Sequence, residues 1–139
     1  MNDITSANIA AYMTVKDLFP AGFQLQQFST SNAIAQGDDT KAETRMSVDG
    51  QMLAGYTPTI KTVTIVLEPS SPSITYMDTW QKAEATNKRK YWCDLMVTYP
   101  STGTVRKFKN GVMKTGKLVP DAQATLQPIS YTFDFEGVE

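Results

Sequence analysis

Apolar and polar positions alternate along most of this chain with the two-residue period of a strand that has one dry and one wet face. The pattern is most regular at the end, Ile129-Ser130-Tyr131-Thr132-Phe133-Asp134-Phe135-Glu136. Large side chains fill one set of positions there, and Ser130, Thr132, Asp134 and Glu136 fill the other. Thr59 to Glu68 repeats it, with Val63, Ile65 and Leu67 opposite Thr62 and Thr64, until Pro69-Ser70-Ser71-Pro72 stops it. Further strands are predicted at Ile9–Val15, Phe23–Phe28, Tyr91–Val97, Thr104–Phe108 and Val112–Val119, the last with a bulge at Gly116. Leu18–Gly22, Pro100–Gly103 and Asn110-Gly111 read as turns. Asp49-Gly50, between Glu43–Val48 and Gln51–Tyr56, is a two-residue hairpin signal in which both central positions take positive φ.

Only one stretch changes period. Ile74, Met77, Trp80 and Ala83 recur at helical spacing within Ile74–Asn87, opposite Gln81, Lys82 and Glu84, so one helix face is expected to pack on the sheet. Ser73 or Asp78 is the predicted cap, and Lys88-Arg89-Lys90 puts positive charge at the C-terminal end of the helix dipole. Ser29–Lys41 is polar and aperiodic. A connection of that length is functional, or disordered when free. The predicted fold class is mainly β: an antiparallel sandwich or barrel of about eight strands, one α-helix packed on it, and a long loop.

Composition narrows what this fold can do. The 139 residues suit one domain, 1–139, large enough for a core without metal or disulfide staples. A net charge of −1 supplies no basic field for nucleic acid or an acidic membrane, and little repulsion against self-association. There is no histidine, which removes the commonest general base and metal ligand. The single cysteine, Cys93, lies in an apolar run and reads as a core residue. Ser47 and Ser130 have no histidine to activate them, and no phosphate-binding glycine loop occurs. Asp38 and Asp39 lack the spaced oxygen ligands of a metal loop. The expectation is a protein without cofactor, metal or catalytic centre.

Lys88-Arg89-Lys90 beside Tyr91 and Trp92 reads as a solvated helix end with its aromatics in the core, not a nucleic-acid contact. Trp80 and Trp92 both lie on apolar faces and are assigned to the core, against a sugar-binding role. Met1–Ser6 lacks the pattern of a signal peptide and no stretch has the length of a membrane span, so synthesis in a reducing cytoplasm is expected. A fold without chemistry binds, and a free edge strand is a template for the next subunit's sheet.

The order of these elements resembles the tail tube proteins of contractile-tailed bacteriophages and, more distantly, the Hcp tube protein of type VI secretion. The resemblance rests on Leu18–Phe23, Glu43–Gly50, Ala54–Pro58, Thr62–Ser71 before Trp80, Asn110–Met113 and Ser130–Glu136. It implies a virion protein, made in the host cytoplasm, that forms hexameric rings stacked into a hollow tube. Sheath, tape-measure and baseplate proteins are the implied partners. Viral DNA would pass without specific binding, and no membrane is involved. Ser31, Asn32, Gln36, Asp38 and Asp39 of the long loop and Asp49 and Gly50 of the hairpin are then inter-ring contacts. Asp134 and Glu136 are candidates to face the lumen. Lys114 and Lys117 are expected outside it or between rings, away from passing DNA. The alternatives are a baseplate initiator or adaptor, and a monomeric β-sandwich binding domain.

Overall fold

The computed structural model describes residues 9–26, 28, 34–38 and 41–139. Alternation becomes strands β1 (Ala10–Val15), β2 (Phe19–Gln24), β3 (Ile34–Gln36), β4 (Ala42–Met46), β5 (Met52–Tyr56) and β6 (Lys61–Leu67). Helix α1 (Ser73–Asn87) follows, then β7 (Cys93–Tyr99), β8 (Thr104–Thr115) and β9 (Ile129–Val138). Seven strands form one sheet in the order β2-β1-β7-β8-β9-β6-β3, while β4 and β5 form a separate two-stranded ribbon. Every pairing is antiparallel. The mainly β architecture with one helix is as predicted. The sheet is not closed into a barrel, because β2 and β3 end it without pairing to each other.

Register explains the core. Val63, Ile65 and Leu67 of β6 pair with Phe133, Tyr131 and Ile129 of β9, so two apolar rows coincide on one face. Met13 and Val15 join Leu95 and Cys93 on that face, and all of these are buried. The sheet curls around it: residues of β3 and β6 line one cleft of about 260 Å³ together with residues of β7 and β8. Trp80 and Met77 of α1 fill the curl, with the Trp80 ring 5.5 Å from Phe133. Pro72 stands at the helix N-cap, not the predicted Ser73 or Asp78. Ser71 and Ser73 are buried instead, where they hold the chain after β2: Gln26 N–H donates to Ser73 Oγ at 2.9 Å, and Ser71 Oγ donates to Gln26 O.

Two predicted turns lie inside strands. β2 begins at Phe19, and the turn before it spans Lys16–Leu18; Pro20 is accommodated because β2 is an end strand, where a missing N–H breaks no ladder. Asn110-Gly111 is a bulge in the long strand β8. Asn110 takes φ 53° and its N–H donates to Asp94 Oδ1 at 3.0 Å. A side chain at Gly111 would put its Cβ 2.2 Å from Phe135 Cδ1. Gly111→Ala is expected to cost about 1–3 kcal/mol by forcing that ring aside, visible as a lowered melting temperature. The predicted bulge at Gly116 falls between Met113 and Thr115, just before β8 ends. One strand was hidden in the aperiodic loop, the three-residue β3.

Strand direction gives the molecule two ends. β1, β6 and β8 run toward the end that carries α1, reached directly from Leu67. β3 runs to the opposite end, where Gly37 N–H donates to Thr62 O at 2.9 Å and from which β6 sets out at Lys61.

Candidate assembly surfaces

The β4–β5 ribbon is an arm. Every residue of both strands is exposed, including Met46, Met52, Leu53 and Tyr56, the last at 83%. Pairing puts Ala42 opposite Tyr56, Thr44 opposite Ala54 and Met46 opposite Met52, which makes one face of the ribbon free of charge. Glu43 and Arg45 stand on the other face, with Gly55 and Leu53. A lone two-stranded hairpin is marginal in water, so an uncovered apolar face on one points to a partner surface. At the tip Ser47 N–H donates to Gln51 O at 2.8 Å and Gly50 N–H to Ser47 O at 3.0 Å. Only Gly50 takes positive φ, at 82°, so the loop has three residues with a glycine bulge in place of the predicted two-residue turn. Asp49 and Gly50 are exposed at this tip, beside the fully exposed Val48.

Gln36 ends β3 and is exposed, and the exposed Asp38 follows it at the root of the arm. Ser31, Asn32 and Asp39 lie outside the described residues.

A second surface is the sheet face turned away from the core. Asp134 accepts from Thr62 Oγ1 at 2.8 Å, and its other oxygen lies 3.8 Å from Lys114 Nζ. Glu136 accepts from Asn110 Nδ2 at 3.1 Å, and Lys109 Nζ reaches Glu139 at 2.6 Å, holding that carboxyl below its ordinary value. Asp134 and Glu136 therefore share one polar face, as alternation predicts. The expected segregation of Lys114 from them does not hold, because pairing β8 with β9 places Lys114 beside Asp134. Lys117 is apart from both, past the end of β8, paired with Asp121 at 3.0 Å and with its carbonyl accepting from Gln81.

Trp92 departs from its predicted core position. Strand alternation turns Tyr91 and Cys93 inward and leaves Trp92 51% exposed. Trp80, in contrast, is fully buried, with Nε1–H donating to Glu84 Oε1 at 3.0 Å. Burial raises the Cys93 thiol, so it is held as the neutral core group expected.

Beneath the helix, Asp78 Oδ1 and the Tyr131 hydroxyl are buried without a hydrogen-bond partner. Burial raises the Asp78 carboxyl above 3.8, with Lys82 opposing, and burial with the Asp78 charge pushes Tyr131 up to about 12. A raised carboxyl binds its proton more tightly folded than unfolded, so it lowers stability as pH rises through and above that range. Asp78→Asn is expected to raise the melting temperature at neutral pH and to lose that advantage by about pH 3, read by scanning calorimetry.

These surfaces belong to a fold shared with contractile injection machines. A chain of the sheath–tube complex of an extracellular contractile injection system, PVC, is similar with a TM-score of 0.58 at 13% identity, over 99% of this chain and 91% of that one. A chain of the PVC sheath/tube terminator gives 0.59 at 13% identity, covering 100% and 96%. A chain of the anti-feeding prophage baseplate gives 0.58 at 10% identity, covering 100% and 95%. No curated protein sequence matches the chain. At these identities the likeness is one of fold. The sequence relationship is carried by a family model matched over residues 2–139, nearly the whole chain, and the protein accordingly belongs to the family described as tail fiber protein gp32.

Proposed function

We propose that this protein is a tube-type structural subunit of a contractile phage tail. Copies join side by side into hexameric rings, and the rings stack into the hollow conduit for DNA ejection. The observation that carries this reading is the open sheet, ended by β2 and β3, from which an arm with an uncovered apolar face departs. An unclosed sheet leaves strand edges that a ring of copies would cover, and the arm supplies a contact beyond that pairing. The fold shared with chains of sheath–tube, terminator and baseplate assemblies supports it. Sheath, tape-measure and baseplate proteins are its partners in that setting.

The polar face suits a lumen. Lys109 and Lys114 are matched by Glu139 and Asp134, so they offer DNA little net positive charge. The lysines then face inward together with Asp134 and Glu136. A second reading, a ring-forming baseplate or terminator component, is favoured by the equal fit to those chains, at 0.58 and 0.59.

Electron microscopy of the purified protein over a concentration series, beside size-exclusion chromatography, tests both. Hollow tubes establish the repeated subunit, and rings that do not elongate establish the second reading. Slender rods without a lumen overturn both in favour of a fibre, the role in the family's description.

A further inference from the structure

A groove of about 570 Å³ lies between the C-terminal half of α1 and the end of β8. Lys88, Arg89 and Lys90 line it against the single carboxylate Glu84, with Met113 at its apolar wall; Lys114 also borders it but is paired with Asp134. Lys90 closes its base, donating to Glu84 Oε2 at 3.1 Å and Met113 O at 3.0 Å. Arg89 is held from outside by Asp17 at 2.9 Å. Lys88, in the left-handed conformation just past the helix, has no ionic partner among the described residues.

The arm has the opposite charge and leaves from the opposite end. Residues 37–60 carry Asp38, Asp39, Glu43 and Asp49 against Lys41 and Arg45. Each strand of the ribbon has five residues and spans about 17 Å, enough to carry the tip beyond its own subunit. Copies stacked in one orientation bring the arm end of each against the helix end of the next. The arm tip presents the acidic Asp49 with the apolar Val48, and the groove presents cations beside Met113.

We propose that the Asp49 tip of the β4–β5 arm of one copy seats in the basic groove between α1 and β8 of the next copy. This rests on the self-assembly reading above and names the receptor for the arm within it. Charge complementarity sets both the register and the polarity of stacking, since the tip and the groove sit at opposite ends of one chain.

The test uses the full-length protein. Asp49→Lys and Lys88→Glu, each alone, are expected to raise the concentration needed for stacking about tenfold, and together to restore it to within about twofold. Both positions are exposed, so melting temperatures stay unchanged. For proximity, Val48→Cys and Ala85→Cys are combined in one chain; Cys93 is buried and does not interfere. Oxidation is expected to give a ladder of linked copies that neither single substitution gives.

Stacking without a ladder, and without rescue by the double charge swap, overturns the seat and leaves self-assembly standing. A linked pair between Val48→Cys and Thr104→Cys, at the arm end, with no Ala85→Cys ladder, does the same and moves the tip to a lateral neighbour. A chain that stays monomeric at every concentration, with no link formed, overturns the self-assembly reading and this proposal with it.

Discussion

Met52→Asp with Tyr56→Asp is expected to abolish assembly and leave the isolated subunit as stable as before. Both side chains lie on the uncharged face of the arm, 67% and 83% exposed, so the subunit loses almost no burial when they change. Surface substitutions of this kind stay within about 0.5 kcal/mol of neutral. In a contact surface the same positions matter far more. Covering a large apolar side chain gains about 2 kcal/mol, so losing two weakens association about a thousandfold, before the cost of burying the new carboxylates. Sedimentation velocity reads the loss of assembly, and thermal denaturation reads the intact fold. Assembly that survives the pair of changes would remove the arm from the contact.

Trp80→Ala is expected to produce the opposite division: a damaged fold with the β4–β5 arm untouched. Trp80 has no exposed surface and lies against Phe133, and its indole N–H is the donor that holds Glu84 toward the helix. Truncation removes the largest fully buried side chain, leaves a cavity between α1 and the sheet, and deprives Glu84 of one partner. The expected cost is about 3–5 kcal/mol, a large share of the 5–15 kcal/mol typical of a domain. Chemical denaturation should show it as a lower midpoint with an unchanged slope. A change below about 1 kcal/mol would mean that the helix is not anchored through this ring.

The sheet was legible where one side of a strand is buried and the other wet. β6 and β9 are the clearest cases, because Val63, Ile65, Phe133 and Tyr131 must point one way and Thr62, Thr64, Thr132 and Asp134 the other. The helix was legible for the same reason at its own period, through Met77 and Trp80. Misreadings occurred where local signals outran tertiary context. Pro20 and Asn110-Gly111 look like turns from their neighbours alone, yet an end strand tolerates the first and a bulge absorbs the second. β3 has only three residues and no visible period, and its pairing with β6 makes it a strand.

The assembly surfaces divide in the same way. Alternation by itself determined that Asp134 and Glu136 share the face opposite the core, because strand geometry sends successive side chains to opposite sides. It determined the arm's hairpin too, through Asp49-Gly50. Only the tertiary structure decided which charges meet: Lys114 comes to Asp134, and Lys88, Arg89 and Lys90 come to one groove with Lys114, through strand order and helix placement that no local pattern encodes. It decided as well that the sheet stays open and that the arm lies uncovered. Both depend on which strands find partners across the whole chain, a matter of summed long-range packing, whereas period and turn chemistry are set by neighbouring residues.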